Sequence, residues 1–103
     1  MGTDTIPVER IQTGVRMEKR MVKVLKALAE YHDLTLGDLL EGIVLHAFDG
    51  KTPFGKESLQ KIADLKKVYA LDLDSSASHR MSDGAPAAGR SSRRPMAGGT
   101  KRR

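Results

Sequence analysis

Between Arg10 and Met17 the chain alternates, with Ile11, Thr13, Val15 and Met17 on one side and Arg10, Gln12, Gly14 and Arg16 on the other. A period of two predicts a half-buried strand over 10–17, its apolar face on a core and its polar face outward. One strand of this length does not stand alone. No second strand pattern follows, so the expected partner is the same strand of a second subunit. From Glu18 to about Tyr31 the period becomes helical: Met21, Val24, Leu25 and Leu28 share one side, and Lys19, Arg20, Lys23 and Lys26 lie mostly on the other. This first helix has Met17 before it rather than a hydroxyl or amide cap, although Glu18 suits the dipole of a first turn. His32 or Asp33 is expected to supply the left-handed turn that ends it.

Thr35-Leu36-Gly37-Asp38 has the spacing of a capping box and precedes the apolar run Leu39, Leu40, Ile43, Val44, Leu45, Ala47 and Phe48. The second helix therefore starts at Thr35. Its apolar positions cover more than one stripe, as expected for a helix buried against its own subunit and against a mate. Gly42 inside it costs about 1 kcal/mol relative to alanine, and a close helix-helix approach is the expected reason for it. Asp49-Gly50 ends the helix, and a turn-rich linker through Gly55 leads to a third. There Leu59, Ile62, Leu65 and Val68 or Tyr69 recur at helical spacing between about Lys56 and Leu71, giving a stripe that packs back on the domain. The expected organisation is an N-terminal arm (1–9), a domain (10–50), the linker and third helix (51–74), and a disordered basic tail (75–103).

Composition narrows the function. A chain of 103 residues with two Phe, two Tyr and no Trp holds one small, aliphatic core, which disfavours a deep catalytic cleft. With no cysteine, disulfides and thiolate metal sites are excluded, and oligomerisation is the remaining way to bury more surface. No apolar run reaches the roughly 18 residues of a membrane span, and the first residues lack the pattern of a signal peptide. A cytoplasmic, nucleoid-associated protein is expected.

The net charge of +5 matters less than its distribution. Arg10, Arg16, Lys19, Arg20, Lys23 and Lys26 form a basic stretch opposed only by Glu18, whereas residues 27–50 carry Glu30, Asp33, Asp38, Glu41 and Asp49 and no Lys or Arg. The tail from Ser75 holds Arg80, Arg90, Arg93, Arg94, Lys101, Arg102 and Arg103 against Asp83 alone, in a setting too poor in apolar residues to fold.

A basic strand, a helix, a tight turn opened by a hydroxyl residue and an apolar helix, spanning Arg10 to Phe48, resemble the ribbon-helix-helix family of Arc- and MetJ-type repressors. The resemblance implies a mainly helical homodimer whose two N-terminal strands form an antiparallel ribbon that enters the major groove of double-stranded DNA. It implies base contacts from the face of Arg10, Gln12, Gly14 and Arg16. Gln12 has the chemistry to pair with adenine and Arg16 with guanine. Gly14 departs from the family's habit of a longer side chain, which weakens readout or brings the backbone closer to DNA. The resemblance also implies a phosphate at the amides of Leu36 and Gly37, beside Thr35, where Asp38 would compete with it. Lys19, Arg20 and Lys23 are the other expected phosphate contacts.

The expected function is sequence-specific transcriptional regulation, as a repressor or by recruitment. Two other readings share the domain: an antitoxin that wraps a toxin from Lys51 onward, and an adaptor or non-specific DNA-binding protein. The third helix is a place for a protein partner. No catalytic residue, metal or cofactor is expected. His32, His46 and His79 are dispersed and lack Cys or clustered carboxylates, and no hydroxyl has an evident base beside it. Tyr31, Phe54 and Tyr69 read as packing residues because they do not interleave with the basic ones.

Overall fold

The computed structural model describes residues 5–84 of the chain. Of the basic tail expected over 75–103, residues 85–103 lie outside the described residues. Three 13-residue helices follow in order: α1 (Lys19–Tyr31), α2 (Leu36–Phe48) and α3 (Lys56–Val68). α1 is central, packing against both α2 and α3. Its side chains at 24, 28 and 29 fall on one face, and all three are buried. Leu28, 1% exposed, sits at the centre with Ala29 and Leu39. Leu25, Ile43, Phe54, Ile62 and Leu65 close around them, so the middle of the α3 stripe packs on the domain, whereas Leu59 and Val68 at its ends are exposed.

Local chemistry sets the helix ends. Glu18 is itself the cap of α1: its carboxylate accepts from the Met21 amide at 2.9 Å. At the far end Asp33 takes φ 60°, and the Leu34 amide donates back to the Ala29 carbonyl, which turns the chain within four residues. The Thr35 hydroxyl accepts from the Asp38 amide at 3.1 Å, the forward half of the capping box. α2 stops at Asp49, and Gly50 adopts φ 71°, a conformation that costs glycine nothing.

The expected strand is corrected. Among the described residues there is no β-strand, and residues 5–17 carry no hydrogen-bonded secondary structure. Alternation fixes which side chains share a face, but a strand exists only where a second strand satisfies its amides and carbonyls. No such neighbour occurs among the described residues. The face expected on a core is instead open to solvent: Ile11 is 82% and Val15 74% exposed. The ribbon-helix-helix architecture with an N-terminal strand is therefore replaced by three helices preceded by an arm without regular secondary structure. Gly42 also departs from expectation, since among the described residues an added Cβ there would meet nothing within 4 Å.

A second compact unit begins at Leu73. Its described part contains a 3-10 turn at Ser75–Ala77, capped by the Asp74 carboxylate accepting from the Ser76 amide at 3.0 Å. The Arg80 guanidinium donates to the Ser76 carbonyl at 2.9 Å.

Candidate nucleic-acid interface

The expected base-contacting residues all lie on the arm, and Arg10, Gln12, Gly14 and Arg16 are all exposed. Arg10 is engaged by α2. Its Nε donates to Glu41 Oε2 and its Nη2 to Glu41 Oε1, each at 2.8 Å, a two-pronged ion pair. The hydrogen bond and charge of Arg10 hold the Glu41 carboxyl below its usual range, while the same bond, with a smaller push from Asp38, raises Arg10. At Gly14 a side chain would meet nothing within 4 Å, so packing within this chain does not demand glycine there.

α1 divides the expected phosphate contacts. Lys19 and Lys23 are four residues apart and share one exposed face. Lys26 completes the stripe. It is not among the expected phosphate contacts, although its spacing from Lys19 and Lys23 puts it on the same line. Over about 10 Å of helix the three ammonium groups precede the first acidic residue of that face, Glu30. Among the described residues none of the three lysines forms an ion pair.

Arg20 points elsewhere. Its Nε donates to Glu18 Oε2 at 2.9 Å, and its Nη1 reaches the Ala70 carbonyl at 2.8 Å and Asp72 Oδ1 at 3.1 Å. It thereby ties the start of α1 to the segment after α3. Partial burial pushes the Glu18 carboxyl up, but hydrogen bonds from Arg20 and the Met21 amide, with the arginine charge, outweigh that and hold it below its ordinary value. Thr35, Leu36 and Gly37 sit at the start of α2, past the far end of α1. Since α1 alone spans about 18 Å, the structure does not bring them together with Lys19. Gly37 has open space around it, and Asp38 places a negative charge in the same first turn.

The aromatic residues differ in burial, and Tyr31 is 43% exposed. Phe54 lies against the core. The Tyr31 hydroxyl donates to Glu57 Oε2 at 2.7 Å, the Lys61 ammonium stands 4.6 Å from the ring centre, and His32 meets the ring edge-on. The bond to Glu57 raises the phenol's pKa. His32 Nε2 lies 3.0 Å from the Ser58 hydroxyl, a second link between the end of α1 and the start of α3.

The side of α2 turned away from the core leaves an apolar surface from Val44 onward, one turn past Glu41 on the same face. Phe48 is 80% and Leu45 63% exposed, with Val44 beside them. No helix among the described residues is long and apolar enough to cross a membrane. Comparison with protein-family models, with curated proteins and with solved structures finds no match.

Proposed function

We propose that this chain binds double-stranded DNA as a homodimer and acts as a sequence-specific regulator of transcription. The observation that carries the reading is the stripe of Lys19, Lys23 and Lys26, exposed along one face of α1 and continuing the basic arm at Arg16. Ammonium groups on a rigid rod, with no described carboxylate partner, suit the phosphates of one strand. Each contact made would release condensed counterions. The arm adds side chains able to read base edges, Gln12 toward adenine and Arg16 toward guanine. Thr35, Leu36 and Gly37 are left out of this interface because they lie past the other end of α1.

A homodimer is favoured by the apolar side of α2. A helix with apolar residues around most of its circumference is ordinarily covered on more than one side, and the four buried hydrophobic residues among those described make a small core for a domain that stands alone. Two copies would also set two arms on one duplex, the arrangement that reads a pseudo-palindromic operator.

Selection of bound duplexes from a random pool at fixed salt tests the reading, with three proteins compared: wild type, Gln12→Ala with Arg16→Ala, and Lys19→Glu with Lys23→Glu. Wild type should enrich a short two-fold motif. The arm variant should lose the motif and keep weak binding, and the α1 variant should lose binding to all sequences. Equal retention of the pool by wild type and the α1 variant would sink the proposal.

A further inference from the structure

We propose that Glu41 is a built-in competitor for DNA phosphate, its carboxylate occupying the Arg10 guanidinium in the free protein and giving it up when a duplex binds. The inference rests on the DNA-binding reading above. A carboxylate that takes two parallel N–H bonds from an arginine presents the same two-oxygen fork as a phosphate, so the two groups compete for the same edge of Arg10. Both distances are 2.8 Å, which leaves that edge fully used.

The pair is built to exchange. Its side chains are 67% and 46% exposed, so an incoming phosphate reaches it without unfolding anything. An ion pair in water is also a weak tether, which a polyanion displaces readily. Glu41 and Asp38 lie three residues apart on α2 and together make that side of the helix repel DNA. The pair uses two of the five guanidinium N–H donors of Arg10, and transfer of that edge to a phosphate leaves the carboxylates of α2 un-neutralised where they meet the duplex.

Exchange has a signature in salt. When an arginine that was unpaired binds phosphate, the counterion released steepens the dependence of log Kd on log salt by about one. If Glu41 must take up a cation as Arg10 leaves, the two effects cancel, and Arg10 adds almost nothing to the wild-type slope.

The test measures Kd for one duplex over a range of salt with the full chain and three variants: Glu41→Gln, Arg10→Ala, and both together. Glu41→Gln should tighten binding by about three- to fivefold and steepen the slope by about one. The double variant should return the slope to the wild-type value. Without DNA, Glu41→Gln should speed tryptic cleavage after Arg10, a readout independent of duplex binding. An unchanged Kd and slope in Glu41→Gln would overturn the exchange, because Arg10 then does not reach DNA. Weaker binding in that variant would overturn it too, since the pair would then hold the arm in its DNA-contacting position. If wild type binds no duplex even at low salt, the DNA-binding reading itself fails, an outcome distinct from either of these.

Discussion

α1 and α2 are equally long, and α2 is the more apolar, yet α1 buries Val24, Leu28 and Ala29 while α2 buries Leu39 alone. The difference lies in how each sequence matches its surroundings. α1 carries one apolar stripe and a basic opposite face, and the rest of the chain supplies a neighbour for the stripe on two sides. α2 carries apolar residues well beyond the part that α1 covers, so Leu45 and Phe48 remain in solvent. A helix whose apolar arc fits its cover can be understood from one chain. A helix whose arc exceeds its cover points beyond that chain.

The largest effect should come from the centre of α1. Leu28→Ala leaves a cavity in a core with few other members and should cost about 2–5 kcal/mol, a large share of the roughly 5–15 kcal/mol that holds an ordinary domain. Urea titration followed by circular dichroism measures it, and a cost below about 1 kcal/mol would show that α1 does not organise the core.

Next come Leu45→Ser and Phe48→Ser on the outer side of α2. Covered by a second copy, each side chain should contribute about 1.5–3 kcal/mol, and the pair of substitutions should abolish any dependence of Tm on protein concentration. If that side faces water, the wild-type Tm is independent of concentration and each change stays within about 0.5 kcal/mol.

The caps should differ in pH rather than in size. Thr35→Ala and Glu18→Gln should each cost about 1 kcal/mol at neutral pH. Glu18 has its folded pKa lowered from 4.5, so its contribution is present above that value and is lost as pH falls through the depressed one. Wild type and Glu18→Gln should therefore converge in acid, whereas the Thr35→Ala deficit should persist. Parallel deficits at every pH would mean that the carboxylate charge plays no part in capping α1.

The smallest effect, with the opposite sign, belongs to Gly42→Ala. With open space for the new methyl, helix propensity alone should add up to about 1 kcal/mol of stability. A loss, measured at a concentration where copies associate, would place a neighbour against α2 at Gly42.

The features legible in the sequence were those decided within a few residues. The spans of all three helices, the Thr35 cap, the turn at Asp33 and the stop at Gly50 follow from periodicity and from groups that satisfy neighbouring backbone. The arm was misread because alternation describes faces and says nothing of a partner. For the candidate site, the α1 stripe was visible in the spacing of Lys19 and Lys23. The engagement of Arg10 by Glu41 and of Arg20 by Asp72 was not, because each joins residues distant along the chain. One signal did bear on the first pair: a basic stretch followed by a wholly acidic one invites pairing between them.

Tyr31 has an optical consequence. The chain has no tryptophan and only two tyrosines, Tyr31 at the end of α1 and Tyr69 just after α3, so its intrinsic emission arises beside those two helices. Separating α1 from α3 would remove Glu57 and Lys61 from the Tyr31 ring and alter that emission, while α2, which carries no tyrosine, would stay dark. The unlabelled protein thus carries its own reporter for one of its two helix contacts and none for the other.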